Sequence, residues 1–503
     1  MTKKFYISTP IYYPNAKLHI GHAYTTTLAD YVNRYKKFRG YETYFVTGSD
    51  EHGQKIEDKA KESGESPLVF VTKIINTFKD LWKDLGIDYD HFIRTTDKTH
   101  INYVKTNFSL LLDKGYIYKG YYEGWYCKSD EAFFTNSQLT KEHKCPECGN
   151  SVELLKEESY FLKITDFKKW IKQALKHDDI LFPHHRVSEL INNFITDLQD
   201  LSITRTTFKW GIPITEDKNH IVYVWLDALQ NYLSTLTYKD APWSVDDVWG
   251  VDSDVEILQI IGKEITRFHA IYWPIILKML NYREPKILAH GWIVTDKGEK
   301  MSKSKGNVVD PSLLINKYGR DSLRFFLINN IITGEDGKFS ENLLIENING
   351  LLVNKFSNLI SRTDSMVKKY FDGIVPNGGK LSTLELHLNK KTDLLLEKYY
   401  LAMDQFDFSK STKILINYVE KLNHYVDQSE PWKKVDDPHL ATILNFLIKE
   451  IFNISSLLGS ILIDSYEEVC NWLSVTNKNH EDNLNTDFAN VKLKPIEHLF
   501  KRI

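Results

Sequence analysis

The chain has 503 residues, 42% of them hydrophobic and 26% charged, with a formal net charge of −3. That length allows about three domains. The composition excludes a fibrous or disordered chain, and the near-neutral charge excludes a generally basic nucleic-acid binder, so any RNA contact must be a local patch.

Four cysteines are too few for a disulfide scaffold. No apolar run reaches the roughly 18 residues of a membrane span, and a strand pattern from Lys4 leaves no room for a signal peptide. The expectation is a cytoplasmic chain with no membrane partner. In chain order, residues 4–9 read as a strand and 21–38 as a helix, with Leu28, Val32, Tyr35 and Phe38 at helical spacing and Gly40 as the stop. Residues 44–47 read as the next strand. Strand, phosphate-binding turn, helix, strand begins a Rossmann-type doubly wound parallel α/β sheet, whose ligands bind outside the carboxyl ends of the strands. Tyr13, His19 and Asp50 fall there.

Helices are predicted over 67–85 and 97–114. From about 116 the texture changes to short aromatic strands and a cysteine cluster. The sheet resumes with 223–226 before a helix, a buried strand at 255–261, a helix at 265–280 and a strand at 286–289. From 341 to the end the pattern is nearly all helical, broken at the Gly- and Pro-rich 372–379. The predicted division is 1–115, first half of the sheet; 116–213, an inserted connective domain; 214–290, second half of the sheet; 291–340, a loop and stem-contact segment; and 341–503, an α-helical bundle.

Two segments carry chemistry. His19-Ile20-Gly21-His22 sits between the first strand and its helix, and Lys300-Met301-Ser302-Lys303-Ser304 sits in a loop flanked by Gly298 and Gly306. A helix amino terminus favours phosphate through its partial charge and its N–H groups. Imidazoles can donate to oxygens whose charge develops in a phosphoryl transition state, and lysines can hold the β- and γ-phosphates. Cys127-x-x-Asp130 and Cys145-x-x-Cys148 have zinc-knuckle spacing, with His143 a rival for the fourth ligand. Cys470 stands alone and reads as a buried core residue.

The two segments resemble the signatures of class I aminoacyl-tRNA synthetases. Ser8-Thr9-Pro10-Ile11-Tyr12-Tyr13-Pro14-Asn15, Gly48-Ser49-Asp50-Glu51-His52-Gly53, Val224-Trp225-Leu226-Asp227-Ala228 and Phe268-His269-Ala270-Ile271-Tyr272-Trp273-Pro274 resemble the methionyl-tRNA synthetase family in particular. The landmarks run from residue 5 to about 432. The resemblance implies activation of L-methionine by ATP with Mg²⁺, then transfer to the 3′ adenosine of methionine tRNA, initiator and elongator alike. It implies that His19, Gly21, His22, Gly262, Glu264, Lys300, Ser302 and Lys303 hold ATP. His19, His22, Lys300 and Lys303 would be catalytic, Lys303 above all. Glu264 replaces the family's usual aspartate and would accept from ribose hydroxyls.

The resemblance also assigns a methionine pocket. Asp50 would hold the α-ammonium, and Ile11, Tyr13, Trp225, Ala228, Leu229, Tyr232 and His269 would line the side-chain slot. The Tyr13 hydroxyl and the His269 ring N–H would point at the sulfur, a weak acceptor. Asn354, Asn358 and Arg362, at i, i+4 and i+8, would share a helix face and read the anticodon together with Trp432, on which an unpaired base can stack. Structural zinc would be held by Cys127, Asp130, Cys145 and Cys148, Asp130 departing from the family's Cys or His. A monomer is expected, because the family's appended dimerisation domain is missing from the sequence. The rivals are a sister class I enzyme, for which the insertion of roughly 100 residues is too short to edit, and a non-catalytic tRNA-binding paralogue, which would not need His19, His22, Lys300 and Lys303.

Overall fold

The computed structural model describes residues 2–129, 132–134, 136–177, 179–301, 307–476 and 480–503. Six parallel strands form its central sheet, in the order His91–Arg94, Glu42–Ser49, Lys4–Tyr12, Glu256–Gly262, Lys286–His290 and Leu181–Phe182. The order reverses between Lys4–Tyr12 and Glu256–Gly262, where Phe5 pairs with Glu256 and Ser8 with Gln259. Crevices at such a reversal bind ligands.

The first strand runs three residues beyond its sequence reading. Pro10, which cannot donate to a ladder, is carried past by an irregularity in register between Ser8 and Ile11. The helix Ile20–Phe38 buries Leu28, Val32, Tyr35 and Phe38, and Gly40 follows it at φ 77°, a conformation that suits glycine.

Two sequence readings are corrected here. Residues 223–226 are not a strand leading into a helix: only Ile221–Val222 pairs, and Val224–Leu229 is already helical. Nor does the helical pattern run to the end. The last long helix is Ile463–Trp472, and beyond it only the short turn Glu481–Asn483 is helical among the described residues.

The cysteine-bearing region builds its own antiparallel sheet from Ala132–Phe134, Ile117–Cys127, Glu153–Leu162 and Leu201–Ser202. Leu181–Phe182, from the same stretch of chain, adds the edge strand to the main sheet. The helical region contains Thr383–Asp404, Phe408–Ser429, His439–Leu458 and a continuous run made of Glu341–Asn347, Ile348–Ser357 and Asn358–Phe371. His439–Leu458 is long and apolar enough to cross a membrane by composition, and it is 83% buried inside the fold.

A buried polar junction joins the helical region to the sheet. Arg324 donates from Nη2 to Asp30 Oδ2 (2.6 Å) and to the Ser460 carbonyl (3.0 Å), from Nε to the Ile461 carbonyl (2.9 Å) and from Nη1 to the Leu85 carbonyl (3.2 Å). Arg34 Nε also meets Asp30 Oδ2, at 2.8 Å. Burial by itself would raise the Asp30 carboxyl, but the two guanidiniums overcome it and hold the group below the usual carboxylate range. At the next residue, Tyr31 Oη lies 2.9 Å from Ser411 Oγ. The helix that starts at His19 is thus gripped at its middle by the helical region.

Candidate active site

A cavity of about 860 Å³ opens at the reversal point, large enough for a small-molecule substrate and a nucleotide together. Strand ends build it: Ile11 to Tyr13 from the first strand, Asp50 just past the second, Gly262 and Glu264 from the fourth, His290 and Gly291 from the fifth. All eight residues expected around methionine line it, and so do His19, Gly21, His22, Gly262, Glu264 and Lys300. Ser302 and Lys303 lie outside the described residues.

The histidine pair is held by the backbone. The Gly21 N–H donates to His19 Nδ1 at 3.1 Å and the His19 N–H to His22 Nδ1 at 3.1 Å, a reciprocal capping box. A backbone amide can only donate, so both Nδ1 atoms are acceptors and each neutral ring carries its proton on Nε2. The ring centroids are 3.9 Å apart. A Cβ on Gly21 would sit 2.9 Å from His19 Cε1, so only glycine lets that imidazole fold back over the helix start.

At the end of the cavity expected to take ATP, the Glu264 carboxylate folds over Gly262, where a Cβ would sit 2.5 Å from Oε1. Glu264 Oε2 accepts from Trp292 Nε1 at 2.8 Å. The ammonium groups of Lys300 and Lys263 lie 3.8 and 4.0 Å from the Trp292 ring centroid, within cation–π range. Asp336 anchors this corner, accepting from the Trp292 N–H at 2.8 Å and from Lys263 at 2.7 Å. Sequence reading missed Trp292, because nothing in the order of residues shows that it underlies Lys300.

In the slot expected to take the amino acid, Trp225 stacks on Phe268 with centroids 3.6 Å apart and planes 6° apart. His269 corrects an expectation. Its Nδ1 lies 3.1 Å from the Ile265 carbonyl, which can only accept, so the ring proton goes there and not to a sulfur. Nε2 then accepts from the Tyr232 hydroxyl at 2.8 Å. Burial pushes this imidazole down to about 4, with only partial opposition from the Ile265 hydrogen bond, so it is neutral.

Beneath the slot, Asp227 accepts from His52 Nδ1 at 2.6 Å and from His100 Nε2 at 2.7 Å, all three buried. Burial would raise the Asp227 carboxyl, but the two imidazoles hold it low. This network ties the Asp50 loop to the helix Val224–Leu229, which carries Trp225 and Ala228. His52 and Asp227 both stood inside the landmark segments, and that was the available signal.

At the knuckle, Cys127 Sγ and Cys148 Sγ are 3.5 Å apart. That is too far for a disulfide at about 2.05 Å and near the roughly 3.8 Å between sulfurs on a tetrahedral zinc with bonds of about 2.3 Å. Ligand atoms of Cys127, Cys145 and Cys148 all lie within 4.8 Å of one another. Three soft thiolates suit zinc. Asp130 lies outside the described residues, and His143 does not join the cluster; its ring packs edge-on to Trp125 at 5.8 Å. Cys127 and Cys145 share a core with Phe134 and Phe268, the partner of Trp225. Ser129, Glu147 and Asn150 of the knuckle line the main cavity. Cys470, expected as a buried core residue, packs against the main core and is half-buried.

The expected RNA residues form one exposed face. Asn354 and Asn358 line a shallow pocket, and Arg362 lies 5.9 Å from the ring of the part-exposed Trp432 while donating to Asp427 at 2.7 Å.

The family model for tRNA synthetases class I (M) matches residues 5–364. A methionine–tRNA ligase of Caldanaerobacter subterraneus is 42% identical over 483 residues, which is 95% of this chain and 75% of that protein. One from Clostridium acetobutylicum is 42% identical over 481 residues, 94% of this chain and 74% of that protein. The structure of Mycobacterium tuberculosis methionyl-tRNA synthetase in complex with methionyl-adenylate shares the fold with a TM-score of 0.92 at 32% identity, covering 100% of both chains. This chain belongs to the class I tRNA synthetases, in the methionine–tRNA ligase family.

Proposed function

We propose that the cavity at the strand reversal runs both half-reactions of the enzyme, with its residues in the following roles. The enzyme activates L-methionine with ATP, releasing pyrophosphate, and transfers the methionyl group to the 3′ end of methionine tRNA. Asp50 pairs with the α-ammonium and so directs the carboxylate at the α-phosphorus. Trp225, Leu229 and Tyr232 take the thioether, which aromatic edges attract by roughly 0.3–1.5 kcal/mol each. His19 and His22 donate Nε2–H to oxygens that gain charge as pyrophosphate leaves, a preorganised electrostatic contribution. Glu264 receives the ribose hydroxyls. Lys300 and Lys303 hold the β- and γ-phosphates, and they accelerate the reaction to the extent that these contacts are stronger in the transition state than in bound ATP.

Mg²⁺ enters with ATP and offsets phosphate charge. Zinc would be held by Cys127, Cys145 and Cys148 with Asp130 as the fourth ligand, and its contribution would be structural, fixing the knuckle. Asn354, Asn358, Arg362 and Trp432 receive the anticodon. The observation that carries the reading is the single cavity shared by the histidine pair, Asp50, Glu264 and the Trp225 slot. Exchange of labelled pyrophosphate into ATP tests it. Exchange driven by methionine, with a KM for methionine raised at least tenfold by Asp50→Asn, is expected. An unchanged KM in that variant would remove Asp50 from its role.

A further inference from the structure

Thr25 lies one turn into the helix that starts at His19, and His290 ends the strand Lys286–His290. Both are buried and both line the main cavity. They meet across 265 positions of sequence, with Thr25 Oγ1 2.7 Å from His290 Nε2. The same helix start makes a second contact, in which the Ile20 N–H donates to the Val309 carbonyl at 3.1 Å. Residues 291–308, which carry Trp292 and Lys300, are therefore anchored at both ends to the first turns of one helix.

His290 fixes the direction of the Thr25 bond. Its Nδ1 lies 2.7 Å from the Gly291 carbonyl, which only accepts, so the ring proton is there. Burial lowers this imidazole, with the Gly291 hydrogen bond in partial opposition, and the neutral ring leaves Nε2 as an acceptor. The Thr25 hydroxyl must then donate away from its own helix. It has one proton, and the Gly21 carbonyl at 3.1 Å does not receive it. The strand end is closely packed: a Cβ on Gly291 would overlap the Glu335 carbonyl, and Tyr24 meets His290 edge-on with centroids 4.9 Å apart.

We propose that Thr25 and His290 are positioning residues for adenylate formation. Their hydrogen bond, with that of Ile20 to Val309, sets the base of the Lys300 loop against the helix start, so that His19, His22 and Lys300 reach one polyphosphate. Misplacing such groups by about 1 Å can cost a hundredfold in rate. This rests on the reading that the histidine pair and Lys300 grip the same ATP. Neither Thr25 nor His290 belongs to the segments that carry the family resemblance, so the tether is visible only in the fold.

The test measures the two half-reactions separately, because the second, transfer from methionyl-adenylate to tRNA, involves no polyphosphate. Thr25→Val, which keeps the shape and removes the donor, is expected to slow single-turnover adenylate formation about tenfold. Transfer from preformed adenylate and the methionine Kd should stay within twofold of the wild type. Thr25→Ser, which keeps the hydroxyl, restores adenylate formation to within twofold. His290→Leu should show the same selective loss, and His290→Gln, which keeps an acceptor, should recover most of it. Equal slowing of both half-reactions by Thr25→Val would reduce the pair to general packing and overturn the proposal. If Lys300→Ala slows adenylate formation while Thr25→Val and His290→Leu do not, the tether is wrong and the reading of Lys300 stands. If Lys300→Ala also leaves the rate unchanged, both are wrong.

Discussion

The Lys300 ammonium rests 3.8 Å from the centre of the Trp292 ring, and that ring's N–H is held by Glu264. The lysine proposed for phosphate and the carboxylate proposed for ribose therefore meet on one indole. A nucleotide that engages Glu264 also competes for the group that keeps Trp292 under Lys300. Trp292→Ala should lower the kcat of methionine-dependent exchange roughly tenfold, the equivalent of about 1.4 kcal/mol in the barrier, with the KM for methionine unchanged. A wild-type kcat would show that the indole only fills space.

His269 predicts a pH dependence of stability. In the fold its imidazole titrates at about 4, against an ordinary value of 6.5. Between those values the unfolded chain takes up a proton that the folded chain refuses, so stability is complete above about 6.5 and falls as pH drops toward 4. The slope from this group reaches about 1.4 kcal/mol per pH unit. Urea unfolding from pH 7 to 4.5 should show that component in the wild type and not in His269→Asn. Parallel pH profiles would contradict it.

The Asp30–Arg324 pair predicts a different pattern. Arg324→Met leaves a buried carboxylate with Arg34 as its remaining guanidinium and should cost roughly 3 kcal/mol in denaturant unfolding. Asp30→Leu/Arg324→Met should recover a good part of that loss, since a well-packed apolar pair can replace a buried ion pair. A double variant weaker than the single one would show that the carbonyls of Leu85, Ser460 and Ile461 depend on the guanidinium more than the charges depend on each other.

How much of this was legible in the sequence depends on the kind of contact. Leu28, Val32, Tyr35 and Phe38 announce their helix through spacing alone, and the strand ends place Tyr13, His19 and Asp50 at one edge of the sheet. The extension past Pro10 was hidden, because a bulge is a property of two strands rather than one. Leu181–Phe182 is too short for any pattern and becomes a strand only through its partner. The non-helical stretch after Trp472 misled, because its contacts with distant helices hold it in place of a periodic apolar face. Asp227 was visible as a residue of the landmark but not as the acceptor of two histidines from 127 and 175 positions away. Trp292 meets Glu264, Lys263 and Lys300 across space, and no spacing rule reaches such contacts.

The knuckle predicts a metal-linked change in the pocket. Purified enzyme should hold about one zinc per chain, and Cys145→Ser should lose it by elemental analysis. Because Phe134 and Phe268 share a core with the cysteines, the same variant should raise the KM for methionine severalfold and lower Tm. Full zinc content in Cys145→Ser would remove that thiolate from the ligand set.

The central claim is that His19 and His22, locked by the backbone with Nε2–H as their donors, stabilise the transition state of adenylate formation. Single-turnover formation of methionyl-adenylate by the wild type, His19→Ala and His22→Ala, measured alongside methionine Kd, tests it most directly. The account predicts rates lower by about a hundredfold or more in each variant, with methionine Kd within twofold of the wild type. Near-normal rates in both variants, or losses explained entirely by weaker methionine binding, would contradict it.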